Sequence, residues 1–194
     1  MRRQWFGDNR DYVKWSCIRA EATDALAVVY GPMLREDSHS GERLDPKVKQ
    51  FFDKPKNFSV ISELFPAGFS YLPHTYEVDN SDRYFDRFEE LITDAQQESK
   101  VLVFLDPDTG IQPRKSKPGN AHLLESDMKR VCQQLRAGEK LVVYQHASRE
   151  AGWREARSKD LMALAATMGT CLGEPYHEEK TAKDVCFFVF TKAS

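Results

Sequence analysis

Four short apolar runs constrain the fold of this chain more than any other feature. They are uninterrupted, rich in β-branched and aromatic residues, and bounded by polar or turn-forming residues; they cover 25–30, 101–105, 141–144 and 185–190. Such runs are typical of strands that are covered on both faces, because a strand with one wet face alternates apolar and polar residues. The sequence therefore predicts a central sheet with helices on both of its sides.

Helical patterns alternate with these runs, at 11–23, 81–97, 120–137 and 153–168. Strand and helix in alternation predict an α/β fold with a Rossmann-like, doubly wound, mainly parallel sheet, in one domain spanning 1–194. The last run is different, because a strand expected at 171–177 precedes it and the polar turn between them has no room for a crossover helix. The final two strands should therefore pair antiparallel.

The ends of the predicted elements also carry signals. Ser81 or Asp82 is expected to cap the second helix and Asn120 the third, which Gly138 should end. A polar loop at 35–45 and a short helix at 46–52 are expected after the first strand.

The balance of charge limits the partners of the chain. The net charge is only -2, so there is no global positive field, and a nucleic-acid partner would need a local basic patch. No apolar run approaches the roughly 18 residues of a membrane span, and the first residues do not resemble a secretory signal, so we expect a cytoplasmic protein. The four cysteines form no CxxC pair, which favours reduced thiols over a zinc site; the oligomeric state stays open.

Acidic residues follow the second apolar run directly, in the order Asp106, Pro107, Asp108, Thr109 and Gly110. Ligands bind beyond the carboxyl ends of the strands in sheets of this type. Burial and mutual repulsion at that edge would raise the pKa of one carboxylate or favour a metal ion. A catalytic role for Asp106 and Asp108 is therefore predicted, with an Asx turn as the structural alternative.

Polar residues also follow the next apolar run, where Tyr144 is succeeded by Gln145 and His146. An imidazole titrates near neutral pH, and a glutamine amide can orient a ligand or read a base edge. Since the two strand ends are expected to be adjacent, Gln145 and His146 join the aspartates as candidate catalytic residues.

The opening segment is dense in ionisable groups, with Asp8, Asn9, Arg10, Asp11 and Lys14 close together. Asp8 or Asn9 can cap the first helix, and Asp11 suits its positive end. Capping does not account for the lysine or for so many charges, so a ligand-binding role is predicted for this segment.

Basic residues elsewhere give weaker signals for a polyanion. Arg114, Lys115 and Lys117 follow the aspartates, and Arg83 and Arg87 lie on the second helix. Each can contact phosphates or simply face water.

The order of the parts resembles the class I S-adenosylmethionine-dependent methyltransferases. In that family the fourth strand ends in an Asp-Pro-Pro-Tyr type motif, and a helix, a fifth strand and a closing antiparallel pair follow; here 101–110, 120–137, 141–146 and 171–190 follow that order. The opening Asp11-Tyr12-Val13-Lys14-Trp15 is similar to the Asp-Val-Leu-Lys-His opening of ribosomal-RNA adenine methyltransferases.

The resemblance implies roles for particular residues. Lys14 would lie near the carboxylate of S-adenosylmethionine, with the rest of the opening segment and Tyr144 in the same cofactor site. Asp106 would accept a hydrogen bond from an exocyclic amine of a nucleic-acid base, making positioning the main catalytic effect.

Three other functions remain open. The same cleft could serve a non-enzymatic module that binds a nucleotide or a protein. Asp106 and Asp108 could hold the metal ion of a nuclease, or Asp106 could be the nucleophile of a phosphatase.

Overall fold

The apolar runs form the middle of a seven-stranded sheet in the part of the chain that the structure describes. The structure is a computed structural model, and it describes residues 9–23, 25–33, 64–72, 74–113, 117, 119, 121–148 and 151–194. The strands are β1 Leu26–Gly31, β2 Phe69–Tyr71, β3 Lys100–Leu105, β4 Gly110–Ile111, β5 His122–Leu123, β6 Lys140–His146, β7 Thr170–Leu172, β8 Tyr176–Glu178 and β9 Ala182–Lys192. The helices are α1 Asn9–Ala22, α2 Ser81–Glu98, α3 Glu125–Gln134 and α4 Trp153–Thr167.

The strand order in the sheet is β2-β1-β3-β6-β9-β7. Strands β2, β1, β3 and β6 are mutually parallel, whereas β9 runs antiparallel to β6. The mainly parallel sheet and its antiparallel closure are therefore confirmed. The strand expected at 171–177 is two short strands, β7 and β8, which both pair with β9. Pro175 lies between them, and proline has no backbone N–H to donate to a ladder.

Both faces of the sheet are covered, which explains why the strands have no polar alternation. Val101, Val103 and Leu105 of β3 pack on the side of α2, α3 and α4. Leu102 and Phe104 pack on the side of α1. Each central strand is therefore stabilised by apolar burial on both of its faces, which contributes roughly 25 cal/mol per Å² of apolar surface removed from water. None of the described helices is both long and apolar enough to cross a membrane.

The helix ends depart from the expected caps. A single 3-10 turn at Val78–Asn80 leads into α2, so Asn80 takes the capping position, and no side chain caps the helix there. The predicted capping by Ser81 or Asp82 is therefore wrong. Gly138 has a φ of +83° in the turn before β6, not at a helix end, because α3 already ends at Gln134.

Helix α3 is shorter than the predicted 120–137 for a physical reason at its start. His122 and Leu123 pair in parallel with Gly110 and Ile111 as a separate two-stranded sheet. The segment before α3 is therefore extended, and Gly110–Ile111 is the short strand with which it pairs. The expected cap Asn120, the loop at 35–45 and the helix at 46–52 lie outside the described residues.

A buried carboxylate holds the amino end of the sheet. Glu139 is 0% exposed, and its oxygens accept hydrogen bonds from the backbone N–H of Val101 at 3.2 Å and of Arg136 at 2.7 Å. The Gln96 amide donates a third bond at 2.6 Å. Glu139 thus joins α2, β3 and the turn before β6. Its removal would leave three N–H donors without this acceptor, two of them in buried hydrogen bonds.

Replacing this residue should therefore destabilise the fold. We expect Glu139→Ala to lower the free energy of unfolding by about 2–4 kcal/mol, since unsatisfied buried donors cost about 1–3 kcal/mol each and water can enter part of the space. Urea unfolding followed by circular dichroism measures this. The control Glu90→Ala removes an exposed carboxylate of α2 and should stay within about 0.5 kcal/mol of the wild type; equal losses in both variants would contradict the role given to Glu139.

Candidate functional site

Charged side chains of α1 and β3 meet beneath the carboxyl end of the parallel sheet. The ammonium of Lys14 lies 2.8 Å from Oδ2 of Asp106 and 2.6 Å from Oδ1 of Asp11. The hydroxyl of Tyr30 donates to the same Oδ2 of Asp106 at 2.8 Å. The four residues are between 0% and 7% exposed. We call Asp11, Lys14, Tyr30 and Asp106 the buried charge cluster.

Local structure explains how these residues come together. Asp11 and Lys14 are three positions apart on α1, a spacing that places them on one face of the helix. Tyr30 pairs with Phe104 in the register of β1 and β3, and their rings stack with centroids 5.2 Å apart. The Asp106 N–H donates to the carbonyl of Gly31 at 2.9 Å, so the carboxylate leaves β3 while its backbone is still tied to β1.

Burial and charge act in opposite directions on the pKa values of the cluster. Burial alone would lower the pKa of Lys14, but the charges of Asp106 and Asp11 outweigh it and raise that pKa above its usual range. Burial raises the pKa of Asp106, and the adjacent ammonium of Lys14 opposes that rise. Burial, then the charge of Asp106, also raises the pKa of Tyr30. Lys14 is therefore the group whose charge favours the ionised form of Asp106.

A second group of charged residues lies at the surface beside the cluster. Arg10 of α1 contacts Oδ2 of Asp184 through Nη2 at 2.5 Å and Nε at 3.1 Å. Nε2 of His146 lies 3.3 Å from the same oxygen. The side chains are 34–37% exposed. We call Arg10, His146 and Asp184 the rim.

The ring of His146 faces a hydrogen-bond acceptor on each side. Its Nε2 is opposite the carboxylate of Asp184, and its Nδ1 lies 3.3 Å from the carbonyl of Ala147. A hydrogen bond from Arg10, and more weakly the charge of His146, lower the pKa of Asp184.

Tyr144 connects the cluster and the rim. The ammonium of Lys14 lies 5.8 Å from the centroid of its ring. Burial raises the pKa of Tyr144, and the charges of Lys14, Asp106, Arg10 and Asp184 all act on it. The phenol therefore lies within the field of both groups.

Gln145 points into the loop after β3 and not toward the cluster. Its Oε1 accepts from the N–H of Ile111 at 3.0 Å, and its Nε2 donates to the carbonyls of Thr109 and His146 at 3.2 and 2.8 Å. Both amide N–H groups are thus used by backbone. Asp108 is half-buried in the bend between β3 and β4.

The structure brings together most of the residues that the sequence singles out. Asp11, Lys14, Asp106 and Tyr144 share the buried site, and Arg10 and His146 share the rim. Asn9 is the exposed first residue of α1, and Asp8 lies outside the described residues.

Two members of the site were not predicted. Tyr30 lies at the end of an apolar run and Asp184 immediately before one. The sequence signal that could have indicated them is their position at the ends of apolar runs. The end of β1 and the start of β9 lie at the edge of the sheet that carries Asp106 and His146.

Three of the basic residues that the sequence singles out, Arg83, Arg87 and Lys117, lie in the described part of the chain. Arg87 contacts the ring of His74 at 2.9 Å, Arg83 and Lys117 are exposed, and Arg114 and Lys115 lie outside the described residues. Among the described residues, no three His, Cys, Asp or Glu side chains are arranged to hold a metal ion.

Removing the ammonium of Lys14 should be costly and pH-dependent. Lys14→Met leaves two buried carboxylates without their cation, and we expect a loss of about 3–5 kcal/mol at pH 8. Without Lys14, the pKa of Asp106 in the folded state rises further above its unfolded value of about 4. The folded state then binds more protons than the unfolded state, so stability increases as the pH falls from 8 toward 5.

Urea unfolding of wild type and variant at pH 5 and pH 8 measures this change. The matched control Lys180→Met removes an exposed lysine and should leave both stability and pH dependence as in the wild type. A deficit in Lys14→Met that is the same at both pH values would contradict the assignment.

Comparisons with known proteins add no family to this site. No protein-family model matches the chain, and no curated protein matches it either.

Proposed function

We propose that the chain is an S-adenosylmethionine-dependent methyltransferase-like protein acting on nucleic acid, with a Rossmann-like, doubly wound sheet. The direct contact between Lys14 and Asp106 at 2.8 Å is the observation that carries the proposal. The resemblance assigns the lysine to the cofactor and the aspartate to the target amine, and such roles require that the two residues share one site. The order of strands and helices around Asp106, with β9 antiparallel to β6, adds support.

The charges of the cluster suit one part of the cofactor. Asp11 and Asp106 carry two negative charges against the single positive charge of Lys14. Such a site favours cations and N–H or O–H donors, which matches the sulfonium, the amino group and the ribose hydroxyls of S-adenosylmethionine. Asp11 would hold donor groups of the cofactor, and Lys14 would face its carboxylate.

The glycines near the strand ends do not provide a cofactor cradle. A Cβ on Gly31 would lie 2.9 Å from Leu105 and 3.0 Å from Phe88, and one on Gly110 would lie 2.5 Å from Gln145. The space beside each glycine is filled by side chains of the protein itself. Recognition in this proposal therefore relies on side chains, in place of the glycine-rich turn that the family carries after its first strand.

The protein's contribution to the reaction is mainly positioning. S-adenosylmethionine, when bound, supplies an electrophilic methyl group. Asp106 would accept a hydrogen bond from the exocyclic amine of the base and so orient its nitrogen for transfer. Lys14 and Tyr30 fix the carboxylate through Oδ2. A buried acceptor can be reached only by an unpaired or extruded base.

A non-enzymatic binding module is the second candidate. The observation that favours it is that Asp106 is 1% exposed and already holds Lys14 and Tyr30, as a purely structural carboxylate would. The same engagement gives less support to a nuclease or phosphatase, since both need the Asp106 oxygens for a metal ion or for attack.

Methyl transfer from radiolabelled S-adenosylmethionine to single-stranded DNA and RNA tests the proposal. We expect cofactor binding in calorimetry at millimolar concentration or below. Transfer should fall by about 100-fold or more in Asp106→Asn, because a neutral amide replaces the carboxylate and its ion pair with Lys14 is lost. No heat of binding at millimolar cofactor would overturn the methyltransferase, and binding without transfer to any nucleic acid would favour the binding module.

Asp127→Asn is the matched control for this experiment. Asp127 is a buried aspartate that also accepts a bond from a tyrosine, Tyr76, at 3.3 Å, but it lies on α3, away from the cluster. Burial raises its pKa to about 6, so the variant also tests the general effect of neutralising a buried carboxylate. Transfer should persist in this variant; equal loss in both would show that instability, not the site, explains the effect of Asp106→Asn.

A further inference from the structure

The loop that follows Asp106 is tied to its neighbours at closely spaced points. Its backbone passes through Thr109, Gly110 and Ile111, and all of the amide hydrogen bonds of Gln145 described above involve this loop or the end of β6. From the other side, Nη2 of Arg157 on α4 donates to the carbonyl of Ile111 at 2.6 Å and to that of Gln112 at 2.9 Å. The loop therefore has both an inner and an outer attachment.

Gly110 allows the inner attachment to form. Its φ is +109°, a conformation that residues with a Cβ rarely adopt. A Cβ at this position would also meet Cδ, Nε2 and Oε1 of Gln145 at 2.5–2.6 Å. The glycine and the glutamine thus interlock, since the amide occupies the space that the missing side chain leaves.

The outcome is a loop whose shape is set without a ligand. The backbone groups of Thr109 are satisfied within the protein, since its carbonyl accepts from Gln145 at 3.2 Å and its N–H donates to the carbonyl of Ala121 at 2.9 Å. The carboxylates of Asp106 and Asp108 precede these attachments on the same short stretch of chain. Asp106 is held by its contacts with the buried charge cluster, and the interlock fixes the chain that follows Asp108.

We propose that Gln145 is a positioning residue, which with Gly110 fixes the strand-end loop and so presents Asp106 and Asp108 as one preformed unit. Gln145 was expected to contact the ligand itself; here it acts through the loop. The inference rests on the proposed function only for the identity of the ligand that the loop would meet.

Amide hydrogen exchange of the full chain tests the interlock directly. Gln145→Glu keeps the size of the side chain but places an acceptor against the carbonyls of Thr109 and His146. We expect repulsion between the new carboxylate and these two carbonyls to push the side chain out of the loop, so that the N–H of Ile111 loses its acceptor. The amide of Ile111 should then exchange about tenfold faster, while Val131 in α3 exchanges at the wild-type rate. The control Gln133→Glu adds the same charge at an exposed position of α3 and should leave Ile111 unchanged. Unchanged exchange at Ile111 in Gln145→Glu, or equal acceleration at Val131, overturns the proposal.

A comparison of Gly110→Ala in two backgrounds provides a second test, which does not depend on whether Gln145→Glu folds. Gly110→Ala alone meets the amide of Gln145, whereas in the Gln145→Ala background only the strain of a positive φ remains. We expect Gly110→Ala to shift the urea midpoint less in that background than in the wild type. Equal shifts in the two backgrounds mean that the residues do not interlock and overturn the proposal.

Binding of S-adenosylmethionine provides a separate measurement. We expect Gln145→Glu to weaken the affinity at least fivefold, with no change in Gln133→Glu; wild-type affinity in Gln145→Glu contradicts the positioning role. If the wild type itself binds no cofactor, the proposed function is lost, and exchange and the double variant still decide whether Gln145 fixes the loop.

Discussion

The contact between Lys14 and Asp106 is the interaction on which the candidate site depends. It joins the first described helix to the central strand of the sheet and places a positive charge where two carboxylates are buried. An ion pair in the interior recovers its desolvation cost only with close geometry and further hydrogen bonds. Tyr30 supplies one such hydrogen bond to Asp106. Because the pair needs this close geometry, it constrains the position of α1 relative to β3.

The sheet explains why these residues meet. Parallel strands carry their carboxyl ends to one edge, and β1, β3 and β6 deliver Tyr30, Asp106 and Tyr144 there. Because β9 runs the opposite way, it begins at that edge, and it therefore adds Asp184 to His146. A cluster with almost no solvent access thus borders a rim that is about one-third exposed.

The sequence predicted the architecture better than the details of the site. Uninterrupted apolar runs specify strands that are covered on both faces, and a connection too short for a crossover specifies an antiparallel closure, so these features follow from local pattern. The start of α3 could not be predicted from local pattern, because it depends on the pairing of His122 with Gly110, which is a contact between two separate segments. Tyr30 escaped notice for a similar reason: a tyrosine at the end of an apolar run looks like core until the strand beside it places a carboxylate within reach of its hydroxyl.

Gln145 lies near the carboxyl end of β6, where the sequence predicts it. From that position we expected a direct role in catalysis or ligand binding, whereas its described hydrogen bonds are with backbone. Only the backbone course of residues 109–111, with its positive φ at Gly110, shows that the amide has backbone partners on every side. Preformed loops cost less entropy when a ligand binds than loops that must be ordered. A residue whose hydrogen bonds go to a loop can therefore affect binding without touching a ligand. At this edge of the sheet, Asp106 lies in the buried charge cluster, and Gln145 binds the backbone that follows it.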